Sequence, residues 1–275
     1  MIDAHFHCWQ LQRGDYGWLT PALAPIYRDV AVADWHPHAQ AHGITGGILV
    51  QAAPTEAETD FLLAQADMHP QVLGVVGWVD WLAPDVAARI ARLAAHPKLV
   101  GLRPMLQDLP EPDWIAQPAL YPALNAMAQQ GLVWDALVKT EHLPHVHRVM
   151  QAHPQLKAVI DHGAKPSPHS DHCQWSAGLQ QLASDFAPER LVCKLSGLWT
   201  ELADPKDMTR LNAWWDVLMD LWGPERLMWG SDWPVLELAA GYDAWRAFSL
   251  ARLRELTPQQ AHAVLGGNAK RFYGV

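Results

Sequence analysis

The chain has few of the residues that mark secreted or nucleic-acid-binding proteins. It contains three cysteines, Cys8, Cys173 and Cys193, an odd number without a C-x-x-C pair. That usage is typical of reduced thiols rather than of a disulfide framework. Positive charge is also scarce, because 20 Lys and Arg stand against 29 Asp and Glu and leave a formal net charge of −9. We therefore expect neither nucleic acid nor an anionic membrane surface as a partner.

Long apolar runs and several well-known signatures are missing as well. No uninterrupted apolar stretch approaches the roughly 18–20 residues of a membrane span. The first residues show no basic region followed by an apolar run, so we expect a cytoplasmic protein. No Gly-rich phosphate fingerprint follows an early strand, and no G-x-S-x-G motif is present. A nucleotide-binding open sheet and a serine nucleophile are therefore disfavoured.

The chain does contain a regular alternation of strand-like and helix-like segments. Its 275 residues, 50% of them apolar, are enough for a large core. Each strand-like run is followed by a helix-type pattern, one of them opened by the capping box of Thr55 and Glu58. The alternation predicts an α/β fold, a (β/α)8 TIM-type barrel formed as a single domain by residues 1–275, with a doubly wound open sheet as the alternative. The eight predicted strands are 2–6, 44–51, 72–79, 99–103, 132–138, 156–162, 191–196 and 227–232.

Polar side chains near the strand ends are the candidate site residues, because active sites of such barrels lie at the carboxyl ends of the strands. His5 and His7 lie two apart on the first strand and should point to the same side. Two such imidazoles can bind a metal, hold an anion or polarise a carbonyl. Ordinary core or surface histidines are the alternative in a chain with 15 His. The other strand-end candidates are Gln51, Asp80, Arg103, His162, Lys194 and Asp232.

Several of these candidates also have a structural interpretation. Gln51 and Asp80 are alternatively residues that cap loops. Asp135 lies inside the fifth predicted strand, where a buried carboxylate needs a partner and either a structural pair or a site role is open. Lys194 should share the inner face of its strand with Ser196. A lysine inside a barrel is costly unless it serves an anion or a reacting oxygen, so we favour a functional role.

Tryptophan is unusually abundant, with 15 residues. Many of them lie on helix-type apolar faces and indicate packing. Four others follow strand-like runs, where an indole face would stack on the apolar face of a sugar ring or simply pack in the core: Trp9, Trp81, Trp199 and Trp233.

Several motifs along the chain resemble those of a known enzyme group. His5-x-His7, His162 and the segment GSDWP at 230–234 are similar to the amidohydrolase superfamily. The C-terminal segment GNAKRFYG at 267–274 resembles the terminal helix of its second large family. Three further segments resemble the sugar-lactonase branch of that family, which includes L-fucono- and L-rhamnono-lactone hydrolases. They are GLRP at 101–104, DHGAKP at 161–166 and CKLSGL at 193–198.

The resemblance implies a hydrolase that opens a small sugar lactone to the free acid. In that reaction Asp232 would act as the general base for an attacking water. His162, Arg103 and Lys194 would meet the charge that develops on the carbonyl oxygen. Seven further residues are expected to bind the substrate: His5, His7, Trp9, Gln51, Asp80, Lys165 and Trp233.

Two departures from the family pattern concern the metal. Metal-dependent members typically add a bridging Lys or Glu on the fourth strand and a His on the fifth, where this chain has Arg103 and Asp135. A two-metal centre is therefore disfavoured. Lactonases of this branch work without a metal, so we expect that no cofactor is required, although the resemblance leaves this need open. One divalent ion such as zinc, held by His5, His7 and Asp232, is the alternative.

Two other function classes stay open at this point. A metal-dependent decarboxylase or amide hydrolase would use the same barrel but would need a tightly held ion. A non-catalytic barrel would bind a sugar acid or a protein partner without turning it over. Assembly into a homo-oligomer is also left open by the sequence.

Overall fold

The eight predicted strands form a barrel. The computed structural model describes residues 1–169 and 171–275, and its strands pair in parallel in chain order. Hydrogen bonds of 2.8 Å from the Asp232 N–H to the His5 carbonyl and from the His7 N–H to the Trp233 carbonyl join the two ends of the sheet. The predicted (β/α)8 barrel is therefore confirmed. The strands are β1 (Ile2–Phe6), β2 (Gly46–Val50), β3 (Val72–Gly77), β4 (Leu99–Leu102), β5 (Val133–Ala136), β6 (Lys157–Ile160), β7 (Leu191–Leu195) and β8 (Leu227–Trp229).

Helices cover the outside of the barrel, and α2 begins after Thr55, as the sequence indicates. The Thr55 hydroxyl accepts a hydrogen bond from the Glu58 N–H at 3.1 Å, which is the first half of the predicted capping box. The second half does not form, because the Glu58 carboxylate accepts from the N–H groups of Ala52 and Ala53. Gly131 ends one helix in the left-handed region, at φ 70°. In the described part of the chain, no helix is both long and apolar enough to span a bilayer. The helices are α1 (Val32–Ala41), α2 (Glu56–Met68), α3 (Val86–Ala94), α4 (Tyr121–Gln130), α5 (Leu143–Ala152), α6 (His172–Asp185), α7 (Met208–Trp222), α8 (Tyr242–Arg252), α9 (Pro258–His262) and α10 (Asn268–Tyr273).

An apolar floor closes one end of the barrel. Phe272 and Tyr273, at the end of α10, pack against side chains from the strands. Burying this layer removes apolar area from water and seals that end, so the polar side chains gather at the other. The strand side chains of the floor are Ile2, Ala4, Ile48, Val50, Val76, Val100, Val133, Val159, Val192 and Met228.

The helix–barrel interface gives a first prediction. Ile90 on α3 is fully buried, so Ile90→Ala should lower the free energy of unfolding by about 2–5 kcal/mol through lost burial and a residual cavity. Met68→Ala makes a similar truncation at a side chain that is 63% exposed, and should change stability by no more than about 0.5 kcal/mol. Urea unfolding followed by circular dichroism measures both. Equal losses in the two variants would contradict this account of the interface.

Candidate active site

The turn after β6 carries His162 to the barrel mouth. Four successive residues have left-handed backbones, with φ of 53° at His162, 58° at Gly163, 59° at Ala164 and 47° at Lys165. Such a conformation costs about 1–3 kcal/mol for each non-glycine residue, so the surrounding structure must hold it. Glycine at position 197 provides space for the His162 ring, because a Cβ at that position would lie only 2.5 Å from His162 Nδ1. Strand-like sequence at 161–162 therefore forms a turn instead of extending the strand.

A second strained turn positions Asp232 after β8. Its φ is 58°, and its own N–H is held by the His5 carbonyl at 2.8 Å. The preceding Ser231 N–H donates to Asp3 Oδ1 at 2.8 Å. Asp3 is a fully buried carboxylate on β1, so the first strand fixes the turn that presents Asp232.

Three imidazoles surround the Asp232 carboxylate. Its Oδ1 lies 3.2 Å from His7 Nε2, 3.5 Å from His5 Nε2 and 3.8 Å from His162 Nε2. Burial opposes the negative charge, but His162, His7 and His5 outweigh it and hold the pKa of Asp232 well below its usual value. Burial lowers the pKa of His162 to about 4. At neutral pH the cluster therefore pairs a carboxylate with a neutral His162.

Arg103 reaches the same cluster from β4 and is anchored by Gln51. Its Nε lies 3.0 Å from Gln51 Oε1, and its Nη2 donates to the Gln51 main-chain carbonyl. Arg103 Nη1 lies 3.3 Å from Asp161 Oδ2. Gln51 is thus engaged with Arg103 and does not line the cleft described below, while Arg103 does.

Lys194 lies beneath the cluster. Its Nζ is 2.5 Å from Asp135 Oδ2, 3.0 Å from Asp161 Oδ1 and 3.1 Å from His5 Nδ1. Burial opposes the ammonium charge, but the two carboxylates outweigh it and raise the pKa of Lys194. Lys194 is fully buried, so the structure brings it to His5 and not to the open cleft.

The cluster opens into a cleft of about 350 Å³. Lys165 and Glu201 form an ion pair of 2.6 Å on its wall. The polar side chains that line the cleft include His7, Arg103, His162, Lys165, Glu201 and Asp232.

Five predicted substrate-binding residues do not line this cleft: Gln51, the fully buried His5, Trp9, Trp233 and Asp80. Trp9 is fully buried, and its indole N–H donates to the Arg28 carbonyl at 2.8 Å. Trp233 is 1% exposed and packs 5.9 Å from the His38 ring. Asp80 is exposed and lines a neighbouring, tryptophan-rich cavity of about 510 Å³. Its Oδ1 accepts a hydrogen bond from the Leu82 N–H at 3.2 Å. This contact fits the alternative in which Asp80 caps a loop.

Three further residues of the site were not among the sequence candidates. Asp161 precedes His162 at the end of the sixth predicted strand, a position that could have nominated it. Ser196 Oγ contacts His162 Nδ1 at 2.9 Å, and its place two residues after Lys194 on the inner face was the available signal. Glu201 ends a short 3-10 helix after β7, Trp199–Glu201, and the sequence pattern there offers no signal for it.

The arrangement fits a metal ion in spacing but not in hydrogen bonding. Tetrahedral zinc ligands at 2.0–2.1 Å lie about 3.3 Å apart, and the closest separations among His5 Nε2, His7 Nε2 and Asp232 Oδ1 are 3.2, 3.2 and 3.5 Å. His7 has the required support, because its Nδ1 lies 2.7 Å from the Val50 carbonyl and must donate to it. His5 lacks that support, since the nearest group to its Nδ1 is the Lys194 ammonium.

Known proteins resemble this chain over nearly its whole length. A family model described as amidohydrolase matches residues 2–275. The chain is 42% identical over 279 residues to an L-fucono-1,5-lactonase of Burkholderia ambifaria, covering 100% of this chain and 95% of that protein. It is 35% identical over 289 residues to an L-fucono-1,5-lactonase of Burkholderia multivorans, with 100% and 96% covered.

A solved structure agrees with these sequence relatives. The crystal structure of an amidohydrolase from Burkholderia multivorans with bound zinc superposes with a TM-score of 0.93. Its sequence is 33% identical, and the match covers 100% of this chain and 99% of that one. The fold, the motifs at the strand ends and the match over nearly the whole length agree, and the chain belongs to the amidohydrolase family.

Proposed function

We propose that the protein is a lactonase that opens L-fucono-1,5-lactone or a similar sugar-acid lactone to the free acid. The observation that carries this proposal is the Asp232 carboxylate, which lies among three imidazoles at the base of a cleft of about 350 Å³. The two L-fucono-1,5-lactonase relatives support the choice of substrate. The size of the cleft suits a small ligand.

Asp232 is the general base of the proposed reaction. It takes a proton from a water molecule, and the oxygen of that water attacks the lactone carbonyl carbon. A lactone is a more reactive electrophile than an amide, so proton transfer and charge stabilisation suffice. The ring oxygen then leaves with a proton returned from Asp232.

His162 and Arg103 stabilise the charge on the carbonyl oxygen. His162 is neutral, and with Ser196 donating to its Nδ1 it presents an Nε2–H donor to the cleft. Arg103 adds a fixed positive charge whose orientation Gln51 maintains. A donor of this kind is worth about 3 kcal/mol of transition-state stabilisation. On the wall, Lys165 and Glu201 offer a donor and an acceptor for the hydroxyls of the sugar acid.

No step of this reaction passes through a metal ion. His5, His7 and Asp232 have the spacing of a zinc set, but the Lys194 ammonium opposes the form of His5 that ligates. A metal-dependent decarboxylase or amide hydrolase is the second candidate, and the relative with bound zinc favours it. The metal content of the purified protein, compared with its activity on lactones and on carboxylated or amide substrates, distinguishes the two.

Replacement of Asp232 tests the general base. Asp232→Asn keeps the shape and hydrogen bonding of the side chain but cannot accept the proton, so kcat on the best lactone should fall about 100-fold or more. Circular dichroism and thermal unfolding should show a folded variant. Asp60→Asn, an exposed carboxylate on α2, is the matched control and should keep full kcat. A folded Asp232→Asn protein with near-wild-type kcat would contradict the mechanism.

Chelation tests the requirement for metal. After dialysis against a strong chelator and verification of metal content, the protein should keep most of its lactonase activity, because Asp232 is free to act as the base. A complete loss that Zn²⁺ or Mn²⁺ restored would instead assign Asp232 to a metal centre.

The pH profile tests the protonation state of His162. Its folded pKa of about 4 lies below the ordinary value of 6.5, so the ring stays neutral as pH falls until the lower value is approached. Below that point an imidazolium would pair with Asp232 and weaken the base. We expect kcat/KM to be level near neutral pH and to fall only as pH approaches about 4. If kcat/KM instead fell around the ordinary histidine pKa of 6.5, and this fall disappeared in His162→Gln, the proposed neutral state of His162 would be refuted.

A further inference from the structure

The buried ammonium of Lys194 makes an unusual contact with a histidine of the active site. Its three polar neighbours are Asp135, Asp161 and His5, at 2.5, 3.0 and 3.1 Å. All four side chains are fully buried. A lysine ammonium has three protons and no lone pair, so His5 Nδ1 and Asp135 can hydrogen-bond it only as acceptors, and Asp161 adds an ion pair.

The position of Lys194 is fixed from two sides. From the barrel floor, the Tyr273 hydroxyl lies 2.9 Å from each oxygen of Asp135. From the mouth, Arg103 Nη1 lies 3.3 Å from Asp161 Oδ2. Lys194 therefore has little freedom to turn away from His5.

The tautomer of His5 follows from this contact. If Nδ1 accepts from Lys194, the ring proton of neutral His5 lies on Nε2. His5 Nε2 is 3.2 Å from His7 Nε2, and His7 offers a lone pair there because its Nδ1 donates to the Val50 carbonyl. Donors and acceptors then match from Lys194 through His5 to His7, whereas two neighbouring contacts do not match, from Arg103 Nη1 to His5 Nε2 at 3.4 Å and from Asp232 Oδ1 to His7 Nε2 at 3.2 Å.

We propose that Lys194, held by Asp135 and Asp161, is a positioning residue that fixes the proton of His5 on Nε2 and so reserves the His5–His7 pair for a hydrogen bond in place of a metal ion. A histidine that ligates through Nε2 must present a lone pair there and carry its proton on Nδ1, usually toward a carboxylate or carbonyl. Here that Nδ1–H would face an ammonium. The competing acceptor, Asp161 Oδ1, lies 3.5 Å from His5 Nδ1, longer than the usual hydrogen bond.

The wild-type protein provides the first test. Long-range ¹H–¹⁵N correlation spectra of ¹⁵N-histidine-labelled protein distinguish the two neutral tautomers, and loss of the signal in His5→Gln identifies His5. We expect the proton of His5 on Nε2. A proton on Nδ1 overturns the proposal. This measurement involves no substrate, so its result is independent of whether the protein hydrolyses lactones.

A matched pair of variants provides the second test. Lys194→Met combined with Asp135→Asn removes the donor together with one carboxylate, which avoids leaving Asp135 as an unpaired buried charge. Asp135→Asn alone keeps the Lys194 donor. In the double variant the His5 proton should move to Nδ1, and Co²⁺, titrated calorimetrically, should bind about tenfold or more tightly than to wild type. Asp135→Asn alone should keep the wild-type tautomer and affinity.

The control experiment locates the bound ion. The gain in Co²⁺ affinity should vanish when His7→Gln is added to the double variant, because His7 supplies one of the ligands. An unchanged Co²⁺ affinity in a folded double variant, or a gain that survives loss of His7, overturns the proposal. If the double variant does not fold, the wild-type tautomer alone decides.

Discussion

The charge of Lys194 inside the barrel constrains much of the structure around it. An unpaired ammonium in such an interior is strongly disfavoured, and the protein compensates with two buried carboxylates and a histidine. Those carboxylates need further partners of their own. Tyr273 comes from the last helix and Arg103 from β4, so one buried charge connects the floor of the barrel to its mouth.

The contacts that close the barrel also position the residues of the Asp232 cluster. The bond from the Asp232 N–H to the His5 carbonyl joins the segment after β8 to β1. Asp3 strengthens the same junction between β1 and the segment after β8. Its carboxylate accepts hydrogen bonds from the main-chain N–H of Ser231 and from the indole N–H of Trp35. Burial raises the pKa of Asp3, which these hydrogen bonds partly offset. The same contacts therefore close the sheet and position Asp232, the proposed general base.

The buried ammonium also bears on how one barrel architecture can serve different chemistry. His5, His7 and Asp232 are spaced as zinc ligands would be, and a relative with 33% identity was crystallised with zinc. The difference between a site that binds a metal and a site that works by proton transfer need not lie in the ligand residues themselves. In our proposal the difference lies in the group next to His5 Nδ1, because a donor at that position and an acceptor at that position favour opposite tautomers of His5.

The sequence alone determined the barrel and the central part of the site. Strand and helix periodicities, the N-cap at Thr55 and the two-residue spacing of His5 and His7 are local patterns, which depend on residues close together in the chain. Only the tertiary structure decided that Lys194 lies beneath His5, that Trp9 and Trp233 face protein rather than the cleft, and that Glu201 lines it. It also converted the end of the sixth predicted strand into a left-handed turn. Each of these outcomes depends on partners distant in the chain, and the residue type at one position does not specify which partner the fold will bring to it.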